Sequence, residues 1–131
     1  MSDTFNLFLL LHIASVIVAF APVVVGAVAL APGGRRASVP ALSDTGRVVY
    51  AAGLIAAGLF GILAVVSSDD IFKFDQTWVS LAFVVWIAMN GVFHAMIFPR
   101  RGGGDRAPLG LAIMDVLVII MLYLMVWKPG L

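Results

Sequence analysis

The stretch VVYAAGLIAAGLFGILAVV at residues 48–66 contains no charged side chain. A helix of about 20 apolar residues spans the roughly 30 Å of hydrocarbon in a bilayer. Similar apolar runs occupy residues 5–30, 78–98 and 109–127, with short polar segments between them. Backbone groups in lipid must satisfy their own hydrogen bonds, and the runs lack the alternating polar pattern of barrel strands. The sequence therefore predicts an all-α integral membrane protein, a single transmembrane domain over residues 1–131 folded as an antiparallel, up-down four-helix bundle.

The composition agrees with a membrane location and narrows the chemistry. The chain is 63% hydrophobic and 11% charged, and its mean hydropathy is +1.12. A net charge of +1 gives no reason to expect nucleic acid as a partner. The chain has no cysteine, which excludes disulfides, thiolate zinc sites, iron–sulfur clusters and covalently attached haem. Because the loops are short, we expect the partners to be the lipid bilayer and other membrane-embedded subunits or further copies of the chain.

The loop charges predict an orientation. Arginines are concentrated between the first and second runs and between the third and fourth runs, whereas the second connection and the C-terminal tail contain only Lys73 and Lys128. Basic residues are retained on the cytoplasmic side of a membrane. We therefore expect a multi-pass protein of the bacterial cytoplasmic (inner) membrane with both termini on the outer side.

Small residues and one proline predict how the helices pack. Gly53, Ala57 and Gly61 are four residues apart and share a helix face, on which small side chains let another backbone approach closely. We expect this face to pack inside the bundle, with a homo-oligomer or partner-subunit contact as the alternative. Pro22 removes a backbone donor and is expected to kink the first helix in its last third.

Four polar residues near the cytoplasmic side form a predicted cluster. An Asp near a helix centre costs about 2.5 to 3.5 kcal/mol on insertion scales, so Asp115 demands a partner. His94 has a similar predicted depth, Asn90 shares its helix face, and Tyr50 lies one turn into the second run. The cluster is interpreted either as a hydrogen-bond network that fixes helix register, or as a proton or ion relay or small-ligand pocket.

His12 is the second candidate site residue, and it lies near the outer side of the first run. Histidine is a ligand for haem iron and copper, and Met121 or Met125 of the fourth run has a comparable predicted depth. Haem b is the expected cofactor under this interpretation. The alternative is a histidine hydrogen-bonded to Ser15 or to a carbonyl of a neighbouring helix.

Two stretches of the chain resemble a known family. They are LLHIASVIVAFAP at residues 10–22 and FKFDQTWVS at residues 72–80, and they are similar to the bacterial predicted integral membrane proteins grouped as domain-of-unknown-function family 2269. A histidine early in the first of four helices is more distantly similar to the copper-resistance D and protoporphyrinogen-oxidase-like membrane families. The family resemblance implies a four-helix membrane protein without an assigned activity. The distant likeness implies haem or copper handling through His12.

No enzyme signature is present in the chain, since it has no Gly-rich phosphate loop, nucleophile elbow or His-Glu-x-x-His motif. The leading hypothesis is a non-enzymatic accessory or scaffold subunit, or a homo-oligomer, of a membrane complex. One alternative is a haem- or copper-binding redox protein that uses His12. Another is a proton-coupled transporter or channel that uses His94 and Asp115.

Overall fold

The described part of the chain folds into four α-helices. The computed structural model describes the backbone of residues 2–30, 44–98 and 106–131, and the side chains of those residues apart from 22–30, 44 and 107. The helices are α1 (Asp3–Leu30), α2 (Asp44–Val66), α3 (Thr77–Val92) and α4 (Arg106–Trp127), and a π-helical turn (Phe93–Ile97) extends α3. No strand occurs in these ranges, so the all-helical prediction is confirmed.

By length and composition, four helical segments of the described residues could cross a membrane, the third of them being α3 together with its π-helical turn, as expected for a multi-pass membrane protein. The helices begin one to four residues before the predicted runs, at positions 3, 44, 77 and 106 instead of 5, 48, 78 and 109. Polar residues extend each N-terminus because the first turn of a helix leaves backbone N–H groups that water or headgroups can satisfy. Helix α1 continues through Pro22 to Leu30. The kink expected at Pro22 falls on residues whose side chains lie outside the described part.

The four helices form a closed ring. Helix α1 packs most extensively on α2, α3 packs on α4, α4 packs on α1, and the contact between α2 and α3 is the least extensive of these. The tightest core lies where the start of α2 meets the end of α3 and the start of α4. There Tyr50 stacks on Phe93 with ring centroids 4.6 Å apart, and a Cβ on Gly110 would lie 3.0 Å from Ile97. Besides Phe93, the core cluster contains eight buried residues: Ala19, Tyr50, Leu54, Met89, Ile97, Leu111, Met114 and Val118.

The segment between α2 and α3 is ordered by side-chain hydrogen bonds. The Ser68 hydroxyl is fully buried, donates to the Val65 carbonyl at 2.7 Å and accepts from the Phe72 N–H at 2.9 Å. The Gln76 amide donates to the Ile71 carbonyl at 3.1 Å, and its oxygen accepts from the Trp78 indole at 3.2 Å. These bonds fold residues 67–76 into a compact cap, which we call the 67–76 cap.

Candidate functional site: an apolar cavity beside His12

A cavity of about 390 Å³ is lined by residues of all four helices and of the 67–76 cap. Most of its wall is aliphatic, aromatic or thioether, including Met89, Met121 and Met125. His12 and Lys128 are the two titratable side chains in the lining. A volume of this size is within the usual 300–1,000 Å³ range of small-molecule sites. The arrangement is that of a binding pocket for a largely apolar ligand with few polar contacts.

His12 is held in one orientation by the backbone of α2. Its Nδ1 lies 2.6 Å from the Ala57 carbonyl oxygen. A carbonyl only accepts, so Nδ1 carries the proton and the neutral ring has its lone pair on Nε2. Ser15, the other partner considered for His12, donates instead to the Leu11 carbonyl at 2.8 Å on its own helix. Nε2 of His12 has no hydrogen-bond partner among the described residues, and because His12 lines the cavity, this nitrogen is available as an acceptor or a metal ligand.

Gly61 lies close against the His12 ring. A Cβ at position 61 would lie 3.2 Å from both Nδ1 and Cε1 of His12. Because side chains lean toward the helix N-terminus, residue 61 covers the surface beside the carbonyl of Ala57, one turn earlier. A side chain there would press on the imidazole, which would have to shift by a few tenths of an ångström. At the other end of the same face, a Cβ on Gly53 would lie 3.0 Å from Val18 and 3.1 Å from the Ala19 nitrogen. Gly53, Ala57 and Gly61 therefore face α1.

Trp86 of α3 contacts α2 in the same way. Its indole Nε1 donates to the Leu54 carbonyl at 2.8 Å. Gly58 lies four residues after Leu54, and a Cβ there would be 2.0 Å from Cε2 of Trp86. The indole therefore occupies the space that any other side chain at position 58 would fill. Two carbonyls of α2 each accept a bond from a different neighbouring helix.

The predicted polar cluster divides into two parts. Tyr50 is fully buried, and its hydroxyl has no hydrogen-bond partner among the described residues. Asp115, half-buried on α4, is within electrostatic range of this hydroxyl. The structure therefore brings Tyr50 and Asp115 near one another.

His94 lies outside that pair. Its side chain is exposed, and its Nδ1 lies 2.8 Å from the Asn90 carbonyl, one turn earlier on the same helix. The Asn90 amide likewise donates within α3, to the Trp86 carbonyl at 2.9 Å. The buried side of this helix is carried by Met89, Phe93 and Ile97, one position away from Asn90 and His94. Each residue rotates a helix by about 100°, so His94 faces away from the core, and no contact with Asp115 is formed.

The cavity ends at an aromatic group beside the 67–76 cap. The Phe72 ring meets Trp78 edge-on at 5.4 Å between centroids and Phe5 at 6.3 Å. The Lys128 ammonium lies 4.8 Å from the centroid of Phe72 and 5.5 Å from that of Trp78. Distances of this kind are typical of cation–π contacts. We call Phe5, Phe72 and Trp78 the aromatic end of the cavity.

Three cavity residues were not predicted from the sequence as parts of one site. Met89 and Trp86 lie in an apolar run, where such residues carry no distinguishing signal. In the sequence, Lys128 is informative only as a basic residue that bears on the membrane orientation. One signal was available for Trp86 and for the carbonyl partner of His12. Glycines at positions 58 and 61 each open the carbonyl four residues earlier, and a Trp or His at matching depth is a donor for such a carbonyl.

Comparisons of the chain with protein-family profiles, curated protein sequences and solved structures give no match.

Proposed function

We propose that the protein is a membrane-embedded subunit that binds haem b, which His12 would hold. One observation carries the proposal: His12 lines an apolar cavity, its Nδ1 is bonded to the Ala57 carbonyl, and its Nε2 has no partner among the described residues. Metal-binding histidines usually donate their other ring N–H to a carbonyl or carboxylate, which fixes tautomer and ring orientation. His12 has this arrangement.

The cavity suits an apolar organic cofactor better than a bare metal ion. Groups of three or more His, Cys, Asp or Glu that could hold a metal are absent from the described residues, and about 390 Å³ is far more than one ion requires. Histidine is one of the side chains that hold haem iron in proteins, and His12 together with the apolar wall would hold such a group here. Met121 and Met125 line the same cavity and are the candidates for a second ligand. Haem bound there would supply one-electron redox chemistry.

The chain's own residues would set the properties of the site. Ala57 holds the imidazole through its carbonyl, and hydrogen bonding at Nδ1 raises the basicity of Nε2 as a ligand. The apolar wall would favour a ligand with a largely apolar body. No catalytic motif accompanies the site, so the subunit is proposed to be an accessory or electron-carrying component rather than an enzyme.

The proposed topology is an antiparallel bundle in the bacterial inner membrane, with both termini and the 67–76 cap outside. Helix pairing supports it: Gly53 of α2 meets Ala19 of α1, whereas Gly61 of α2 meets His12, earlier on α1. The arginine-rich connections support the orientation. The apolar outer faces of the helices are suited to lipid, to membrane-embedded partner subunits or to further copies of the chain.

Visible spectroscopy tests the proposal. The protein is expressed with a haem precursor, purified in mild detergent and measured oxidised and dithionite-reduced. We expect a Soret band that is lost in His12→Ala and kept in His94→Ala, since His94 is exposed and remote from the cavity. The chain has two histidines, so His94→Ala is a matched control. A flat wild-type spectrum at full haem supply, or a Soret band that survives in His12→Ala, would overturn the proposal.

A further inference from the structure

Lys128 is placed where it can neutralise one end of a ligand in the cavity. It follows the last residue of α4 directly, lines the cavity and is half-buried. Its ammonium lies over Phe72 and Trp78 at the aromatic end. The chain adopts a left-handed conformation at this residue, with φ of 45°. A non-glycine residue in that region is uncommon and carries a local conformational cost.

The ammonium of Lys128 has no carboxylate partner in the described part of the chain. Its contacts there are the two rings. Asp69, Asp70 and Asp75 of the 67–76 cap are all exposed. A partly desolvated ammonium over aromatic rings gains from any anion that reaches it, because charge attraction strengthens as water is excluded.

The depths of the two polar lining residues complement one another. Phe5 of α1 contacts Phe72, and Lys128 lies over that same ring, so Lys128 is level with the start of α1. His12 is seven residues further along α1, roughly 10 Å deeper at a rise of 1.5 Å per residue. The wall between these two levels is apolar. This spacing suits a ligand with an apolar body, a deep contact at Nε2 of His12 and an acidic group near the aromatic end.

We propose that Lys128 binds a carboxylate of the cavity's ligand, and that the site therefore selects acidic amphiphiles over neutral ones of the same shape. The inference rests on the proposed function, in which the carboxylate is a haem propionate. A hydrogen-bonded ammonium–carboxylate pair is among the stronger polar contacts in proteins. Under this proposal Lys128 fixes the orientation of the ligand and contributes to its affinity, while Nε2 of His12 makes the deep contact.

Spectral titration of haem-free protein with two probes tests the inference. The probes are haem b and its dimethyl ester, which keeps the ring and the iron and loses both carboxylates. We expect Lys128→Gln to weaken haem b binding about tenfold or more, the size of one hydrogen bond to a charged group. Binding of the dimethyl ester should be the same in Lys128→Gln and in the wild type. Lys128→Arg should retain most of the affinity for haem b, since it keeps the charge.

Lys73→Gln is the matched control, because Lys73 is the other lysine of the chain and is exposed on the 67–76 cap. It should leave both titrations unchanged. Equal loss of both probes in Lys128→Gln would show a merely structural effect and overturn the inference. So would haem b affinity equal to the wild type. If the wild type binds neither probe, the proposed function itself fails, which is distinct from a wild type that binds haem b without regard to Lys128.

Discussion

A glycine four residues after a carbonyl leaves that oxygen accessible to a side chain from another helix. Helix α2 has two such positions, with Gly58 opening Leu54 and Gly61 opening Ala57. A carbonyl oxygen has two lone pairs, so it accepts from Trp86 or His12 in addition to its helical N–H. In a membrane interior no water is available to accept a hydrogen bond from these donors, so the backbone carbonyl satisfies them instead. At the scale of single residues, α2 is thus held to α3 and α1 through its backbone.

Gly58→Ala is predicted to destabilise the protein. The new Cβ would lie 2.0 Å from the Trp86 ring, so the indole must move and its bond to the Leu54 carbonyl is strained or lost. Overpacking of this kind typically costs about 1–3 kcal/mol in free energy of unfolding. The measurement is denaturant unfolding in mixed detergent micelles.

Gly91→Ala is the control for that substitution, because nothing lies within 4 Å of a Cβ at position 91. Its free energy of unfolding should be unchanged or slightly raised, since Ala has the higher helix propensity. Equal stability of Gly58→Ala and Gly91→Ala would contradict the placement of Trp86 on α2.

At the scale of elements, the 67–76 cap links α2 to α3 and closes the aromatic end of the cavity. The Ser68 hydroxyl bonds both to the last turn of α2 and to the Phe72 N–H, so the position of the Phe72 ring depends on one side chain. Asp69 and Asp70 follow with φ of 51° and 64°. Asp tolerates this left-handed region better than most residues, because its short polar side chain can bond locally.

Ser68→Ala is predicted to loosen this cap. The substitution leaves the Phe72 N–H and the Val65 carbonyl without the hydroxyl, and an unsatisfied buried group costs about 1–3 kcal/mol. Amide hydrogen exchange should accelerate across residues 67–76 and stay slow in the helices. Ser67→Ala is the adjacent control, since the Ser67 hydroxyl bonds back to Leu63 within α2. If Ser67→Ala and Ser68→Ala exchange alike, Ser68 is not the residue that orders the cap.

The elements were predictable and their rotation was only partly so. The thickness of the hydrocarbon layer sets the length of a spanning helix, and the number of apolar runs sets how many helices are expected. Four were predicted, and the described residues contain four candidate spans. Depth along a helix also follows from counting residues. The buried side of α3 does not, because nearly every position is apolar. The polarity of His94 led to the prediction that it lies in a buried cluster with Asp115. In the structure Met89 and Phe93 occupy the buried face of the helix, so His94 faces outward.

At the scale of the whole molecule, a tightly packed half and an open half share one bundle. The packed half holds Tyr50, Phe93 and Met114, and the open half holds the cavity between His12 and the aromatic end. Small residues in α2 bring α1 close along one side, and the less extensive contact between α2 and α3 leaves room beside it. In the proposed topology the packed half faces the cytoplasm and the cavity lies toward the outer surface.

Single cysteines test this topology, because the natural chain contains none. In intact bacterial cells a membrane-impermeant maleimide should label Ser2→Cys and Lys73→Cys. Ser38→Cys and Arg101→Cys, in the arginine-rich connections, should react only after permeabilisation. The cysteine-free parent protein controls for background labelling. The opposite labelling pattern would invert the proposed orientation without altering the bundle.

The candidate site was predictable in its residue and not in its surroundings. A lone histidine in the first apolar run drew attention to His12, since a polar ring in lipid needs a partner. That partner is the carbonyl of Ala57, an atom that every residue possesses. The cavity arises from helix separations, which depend on the sum of many similar contacts. Lys128 belongs to the site because the end of α4 lies beside Phe72, an arrangement that the sequence alone does not indicate.

The backbone acceptors on α2 have a genetic consequence. A substitution at position 54 or 57 does not remove the backbone carbonyl oxygen, so neither hydrogen bond can be abolished by deleting its acceptor. A mutational scan for loss of these contacts would recover changes in the donors, His12 and Trp86, and in the glycines that expose the oxygens. Mutation can therefore remove the donor side chain of each bond directly, whereas it can affect the backbone acceptor only by changing the residues that surround the oxygen.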